Sequence, residues 1–234
     1  MNFIELSKLF HKNGYVYIEK FFNAALMNDY QDEICNHFKE NNNYKHDESF
    51  IEKSKTDVVP WFPQIEGRKK FNVLEKNKKL CDLTEEVLGS GWKSLYCMVM
   101  YSNKSSNGQA WHQDCSPNDD GIFNLNRLVY SMDINNSTGG EICVIPGSHK
   151  KGIIPRGSAT DEIVGSVTIS PLKGSLLLLH GHTWHKVLPI LDNVRVSTNY
   201  RCVPKNTPNN VTDVAVYRNM LFRFSDGKIL TNRV

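Results

Sequence analysis

Apolar residues recur at helical spacing near the start of the chain. Phe3, Leu6, Leu9 and Phe10 share one face of a helix predicted over residues 3–12, Gly14 interrupts it, and Tyr15-Val16-Tyr17-Ile18 reads as a short strand. Asn23 is placed to cap a second helix, in which Leu26, Tyr30, Ile34 and Phe38 recur every fourth residue until residues 41–43 end it. That stripe belongs against a core. Residues 40–72 lose the period, and around Val58-Val59-Pro60-Trp61-Phe62-Pro63 they are too rich in proline for a helix and too rigid for a flexible linker. The segment is expected to be a loop overhanging whatever site the fold forms. Leu80, Leu83, Val87 and Leu88 predict one more helix, closed by Gly89 and Gly91.

From Trp92 onward the pattern changes to short runs of Val, Ile, Leu and Tyr punctuated by Gly, Asn, Pro and Ser. Strands are predicted at residues 94–101, 127–134, 140–145, 162–169, 175–180, 185–189 and 194–203, the spacing of an antiparallel sandwich or barrel. The fold class is therefore mainly β with flanking α-helices. A chain of 234 residues with 40% hydrophobic content suits one domain. Residues 1–91 are expected to form a helical N-terminal support, 92–203 the β core, and 204–234 a C-terminal extension serving as capping strand, lid or dimer contact.

Charge and cysteines narrow the function classes. A net charge of +3 with no long Lys/Arg run gives no nucleic-acid stripe, and Arg68 to Lys70 read as solvated surface. The first ten residues mix Asn2, Glu5 and Lys8 among apolar ones, unlike a signal peptide, and no run reaches transmembrane length, so the protein is expected to be cytoplasmic with no membrane partner. The 6 cysteines show no C-x-x-C pairing, which argues against a disulfide framework or a structural zinc site.

The candidate chemistry begins at Trp111-His112-Gln113-Asp114. A His and an Asp two residues apart on an extended strand project to one side, so imidazole and carboxylate can aim at one point. A lone H-x-D is weak, and a third ligand must come from far along the chain. Three imidazoles compete for that role in His180-Gly181-His182-Thr183-Trp184-His185, which follows the apolar strand ending at Leu179. His185 is favoured, because across a turn at residues 190–193 the returning strand carries Arg195, Ser197, Asn199 and Arg201 on one face and Val194, Val196, Thr198 and Tyr200 on the other. Two His and one carboxylate leave coordination positions open, the pattern of non-haem iron(II). A guanidinium and a hydroxyl nearby suit a carboxylate-bearing cosubstrate. Met98, Met100 and Tyr130 are further candidates for cosubstrate or substrate contact, against plain packing. Trp111 and Trp184 are read as packing residues. Lys104, Arg127, Lys151 and Arg201 either meet an anionic substrate group or serve as exposed surface.

In these residues the chain resembles the phytanoyl-CoA dioxygenase-like family of iron(II)- and 2-oxoglutarate-dependent oxygenases. The resemblance runs from Gly14-Tyr15-Val16 through Gln109-Ala110-Trp111-His112-Gln113-Asp114, then Gly139-Gly140-Glu141 to Pro146-Gly147-Ser148-His149, Gly174-Ser175-Leu176, Trp184-His185 and Arg195. It implies a double-stranded β-helix (jelly roll, cupin-like) core. Iron would be held by His112, Asp114 and His185, and the distal carboxylate of 2-oxoglutarate by Arg195 with Ser197 assisting. His149 falls in a segment that is structural in the family. The implied reaction uses O2, converts 2-oxoglutarate to succinate and CO2, and is supported in vitro by ascorbate. Asp114 at the carboxylate position favours hydroxylation, or another oxidation such as desaturation or ring closure, over chlorination. The chain departs from the family at Lys186-Val187-Leu188-Pro189-Ile190, where a small polar residue and Asn often follow the distal His. Two other readings stand beside this one: a catalytically silent jelly-roll binding protein, and a zinc hydrolase using the same ligands. A small metabolite is the expected substrate, selected by loops at 45–71 and 116–126, and oligomeric state is left open.

Overall fold

The computed structural model describes residues 1–41 and 48–233. Helix α1 (Phe3–Asn13) starts where the Asn2 side chain accepts from the Glu5 amide, and it ends at Gly14, whose positive φ of 80° lets its N–H close on Phe10 O. A side chain at Gly14 would also collide with Thr183 and the His149 ring, at 2.4 and 2.5 Å. The turn brings β1 (Tyr15–Ile18) directly onto a central strand. Asn23 caps α2 (Ala24–Glu40) as expected, and Met27, Tyr30, Ile34 and Phe38 form its buried stripe. The third predicted helix is α5 (Lys78–Leu88), capped by Asn77.

The expected loop over 40–72 is in part regular structure. Among its described residues lie α3 (Glu48–Ser54), β2 (Val59–Trp61) and α4 (Lys69–Glu75). Short helices carry too few turns to show a period, and Pro60 concealed a strand that is tolerated because β2 lies at a sheet edge, where a missing N–H costs little. Residues 42–47, including part of the predicted helix end and of the loop at 45–71, lie outside the described residues.

The remaining strands are β3 (Lys93–Ser102), β4 (Gln109–Gln113), β5 (Leu125–Val129), β6 (Ile142–Val144), β7 (Val167–Ile169), β8 (Leu176–His180), β9 (His185–Val187), β10 (Arg195–Val203), β11 (Val214–Tyr217), β12 (Met220–Arg223) and β13 (Lys228–Asn232). They form two antiparallel sheets, six strands in the order β1-β8-β5-β10-β3-β2 and seven in the order β13-β12-β11-β4-β9-β6-β7. The fold is the mainly-β, helix-flanked jelly roll expected. Its boundaries differ from the expected division, because β1 and β2 from the N-terminal part and β11 to β13 from the C-terminal part are sheet strands. The tail is sheet because Val216 and Tyr217 pair with Gln113 and His112, extending the strand that carries the H-x-D. Several predicted strands are also shorter: that at 162–169 is ordered only at Val167–Ile169, and that at 127–134 shifts back to Leu125–Val129.

Alternation along β8 explains its unbroken apolar run. Leu176 and Leu178 enter the cluster with α1, α2, α4 and α5, while Leu177 and Leu179 enter the layer between the sheets with Leu128, Ile142 and Val187. Both faces are buried, so neither is polar. Truncating such a leucine to alanine costs about 2–5 kcal/mol. On β10 the same alternation sends Val196, Tyr200 and Cys202 to the helices and leaves Arg195, Ser197, Asn199 and Arg201 for the other side, all buried. The cysteines are unpaired, as expected. Among the described residues no helix is long and apolar enough to cross a membrane.

Candidate metal centre

His112 on β4 and His185 on β9 are register partners, which sets their rings 4.1 Å apart between centroids. Asp114 follows β4, its N–H held by Gly181 O. One carboxylate oxygen lies 3.6 Å from His112 Nε2 and the other 3.6 Å from His185 Nε2. One ligand atom from each of the three falls within 4.8 Å of the others. Both imidazoles are set for coordination by the backbone: Nδ1 of His112 is 2.8 Å from Ala110 O, and Nδ1 of His185 is 2.8 Å from Thr183 O. A carbonyl only accepts, so each Nδ1 carries the proton and each Nε2 turns its lone pair to the centre. The donor set fits a divalent metal with open positions.

The carboxylate is held as firmly as the imidazoles. Arg201 approaches Asp114 Oδ1 at 3.0 Å, and Asn126 Nδ2 donates to Oδ2 at 2.7 Å. Burial alone would raise the Asp114 carboxyl, but the Arg201 guanidinium, with His185 and His112, more than offsets this and holds it well below the usual carboxylate range. Burial lowers His185 to about 4, with His112 adding to the effect. At neutral pH the centre therefore presents one carboxylate and an unprotonated His185.

The three residues open into a cavity of ≈ 620 Å³ between the sheets, which Arg195 also lines. Arg195 is 2% exposed; its Nε donates to Gly140 O at 2.7 Å and Nη1 to Ser197 Oγ at 3.1 Å, leaving the outer edge of the guanidinium uncommitted by these contacts. Gly140, at φ 82°, is required here, since a Cβ would stand 2.6 Å from Arg195 Cδ. Met98 and Met100 line the cavity. Tyr130 is fully buried behind it, next to the Arg195 guanidinium, and burial raises its phenol.

Other candidates fall elsewhere. His182 faces Ile122 O at 3.1 Å and His149 faces His11 O at 3.2 Å, so neither joins the centre. Trp111 and Trp184 pack together in an apolar cluster with Cys143 and Ile145. Of the four proposed surface cations, two are not on the surface. Arg127 is fully buried on the helix side, donating to Tyr200 O and Thr84 Oγ1, because it has the opposite strand parity to Asn126. Arg201 is buried against Asp114. Lys104 is exposed and pairs with Asp192.

Several cavity residues escaped the sequence reading. Asn126 was read only as the last residue of the loop expected at 116–126, and not as a partner of Asp114. Gln109, whose amide stands 3.0 Å from His112 Nε2, precedes the H-x-D by three residues and was legible only as part of the motif. Tyr217 stacks on His112 at 5.3 Å, and Asn209, Asn210 and Thr212 line the cavity from the tail. Of the two loops expected to choose the substrate, the first contributes Phe50, Thr56, Val58, Pro60 and Phe62 to the lining, the second only Asn126.

Comparison with known proteins agrees with this geometry. No curated protein matches the chain. Among solved structures, the non-heme alpha ketoglutarate dependent epimerase SnoN from nogalamycin biosynthesis is 18% identical with a TM-score of 0.70, covering 89% of this chain and 86% of its own. HygX from Streptomyces hygroscopicus, with nickel and 2-oxoglutarate bound, is 16% identical with a TM-score of 0.70, covering 86% of this chain and 87% of its own. The carbocyclase SnoK, also from nogalamycin biosynthesis, is 13% identical with a TM-score of 0.68, covering 92% and 85%. These likenesses establish the fold. A model of the phytanoyl-CoA dioxygenase (PhyH) family matches residues 10–190. The chain belongs to the phytanoyl-CoA dioxygenase (PhyH) family, whose members use iron(II), 2-oxoglutarate and O2.

Proposed function

We propose that this protein is an iron(II)- and 2-oxoglutarate-dependent dioxygenase that hydroxylates an unactivated C–H bond of a small metabolite. The observation that carries this is the convergence of His112, Asp114, His185 and Arg195 on one cavity. When bound, iron(II) with 2-oxoglutarate and O2 supplies the oxidising power to replace a substrate hydrogen by hydroxyl, with succinate and CO2 as the other products.

The chain's own residues do the holding. His112, Asp114 and His185 would ligate the metal, and Arg195, braced by Gly140 O and Ser197, would take the distal carboxylate of 2-oxoglutarate. Arg201 and Asn126 keep Asp114 ionised and oriented, so the metal end is organised by the protein in advance. Met98 packs beside this path, and Tyr130 supports Arg195 from behind. Leu128, Ile142, Leu179 and Val187 of the apolar layer between the sheets give the cavity a wall of low polarity. A zinc hydrolase would have no use for the Arg195 cation in the same cavity wall.

Anaerobic titration with iron(II) and 2-oxoglutarate tests the reading. A visible metal-to-ligand charge-transfer band, followed by succinate formation once O2 is admitted, is the expected result. Folded, metal-binding protein with neither band nor succinate would favour the silent binding protein instead.

A further inference from the structure

The charged groups lining the cavity are all committed to partners. Among the described lining residues the cations are Arg195 and Arg201. Arg201 is neutralised by Asp114 at 3.0 Å, and Arg195 is assigned above to the cosubstrate carboxylate. The lining acid Asp213 is turned to its own loop, accepting from Ser225 N–H at 2.8 Å and Ser225 Oγ at 3.0 Å. No uncommitted cation is left for an anionic substrate among these residues, and both carboxylate oxygens of Asp213 are engaged by Ser225. The walls are mostly apolar, with Phe62, Met98, Met100, Leu128, Tyr217 and Phe224 prominent. An anion entering here would lose its hydration with no compensating partner, which is strongly unfavourable.

Two buried polar atoms in the lining are unmatched. Thr56 Oγ1 and Asn199 Oδ1 have no hydrogen-bond partner, and their residues are 4% and 1% exposed. The orientation of Asn199 follows from the metal end. The Asp114 carboxylate only accepts, so Asn126 must turn its amide nitrogen to it. Asn126 Oδ1 then accepts from Arg201 Nε at 2.7 Å and from Asn199 Nδ2 at 2.8 Å. With its nitrogen thus committed, Asn199 has a carbonyl oxygen left over, which can only accept. A buried acceptor without a donor is costly, so the complement it selects is an O–H or N–H.

We infer that the substrate is an uncharged, predominantly apolar molecule bearing a hydroxyl, and that an anionic, carrier-bound acyl chain does not fit. The inference rests on the dioxygenase reading and extends it to substrate class. The volume of ≈ 620 Å³ lies within the range of about 300–1,000 Å³ typical of small-ligand sites.

The test uses four probes of one carbon skeleton with the anaerobic iron(II)–2-oxoglutarate protein: cyclododecanol, its methyl ether, cyclododecanecarboxylate, and the coenzyme A thioester of that acid. The charge-transfer band is recorded first, because its absence would overturn the dioxygenase reading itself. With the band present, equilibrium dialysis is expected to show the alcohol binding about 2- to 10-fold tighter than the ether. The carboxylate and the thioester should bind about 100-fold more weakly or not at all. Thr56→Val and Asn199→Leu should each narrow the alcohol-to-ether ratio, the band reporting whether the metal end survives. Thr212→Lys, which adds a cation to the lining, should raise carboxylate binding. Carboxylate or thioester binding as tight as the alcohol, equal binding of alcohol and ether, or no binding of any probe by band-forming protein would each overturn the inference.

Discussion

Replacing Arg195 with alanine separates the cosubstrate site from the metal site. Its guanidinium is almost wholly buried, donates to Gly140 O and Ser197 Oγ, and makes no contact with His112, Asp114 or His185 among the hydrogen bonds and ion pairs described. The alanine variant therefore removes the proposed partner of the 2-oxoglutarate carboxylate while leaving the three ligands in place. A hydrogen bond to a charged group contributes about 1.5–3 kcal/mol, and truncating one side of a buried charge pair costs about 2–5 kcal/mol. Taking about 3 kcal/mol, the Kd for 2-oxoglutarate should rise roughly 150-fold. Arg195→Lys keeps the charge but loses the planar fork and the Gly140 contact, so a rise of about 10-fold is expected. Anaerobic titration of the charge-transfer band measures both, and calorimetric titration with iron(II) alone should agree with the unsubstituted protein within about 2-fold. If Arg195→Ala bound 2-oxoglutarate within about 3-fold of the parent, or lost iron and 2-oxoglutarate together, the assignment of Arg195 would be wrong.

Three more predictions follow from the same geometry. Asp114→Asn should abolish tight metal binding and, by leaving the Arg201 guanidinium buried without its counter-charge, destabilise the metal-free protein by about 3–5 kcal/mol; Arg201→Met in the same chain should recover part of this in urea unfolding, and simple additivity would refute the pairing. Burial lowers His185 from 6.5 to about 4 and His180 from 6.5 to about 2, and lowers His149 and His182 as well. Below about pH 6.5 the unfolded chain thus takes up protons that the folded chain refuses; the Tm of metal-free protein should fall steadily toward about pH 4, and a Tm unchanged over that window would contradict the burial of these rings. Gly140→Ala should push Arg195 aside and weaken 2-oxoglutarate binding about 10-fold with metal affinity intact, because the new methyl would stand 2.6 Å from Arg195 Cδ; equal affinities in the titration would show that the side chain yields without cost.

The local patterns in the chain determined much of this. The every-fourth apolar stripe of α2 needs only the period of a helix, and the alternation of β10 needs only the pleat of a strand, so both were readable before folding. The same alternation placed Arg195, Ser197, Asn199 and Arg201 on one face, and H-x-D spacing placed His112 and Asp114 on one side. Where local signals are short they failed: α3 and α4 have too few turns to show a period, and β2 and β11 to β13 gain their identity from neighbouring strands.

Tertiary structure alone decided how these faces meet. No spacing rule could say that Arg201 would turn to Asp114 or that Arg127 would be buried under helices, because each depends on which strand lies alongside. His185 was already favoured over His182 from the sequence, but that it lies opposite His112 is set by the pairing of β4 with β9. The tail's place in the cavity wall follows from Val216 and Tyr217 pairing with Gln113 and His112, residues about a hundred positions earlier in the chain. The reactive residue types and their strand parity are local properties, fixed by backbone geometry within a few residues. The pairing of Arg201 with Asp114 and the unmatched acceptor at Asn199 are properties of contacts between distant segments, and they exist only once both sheets have closed around the centre.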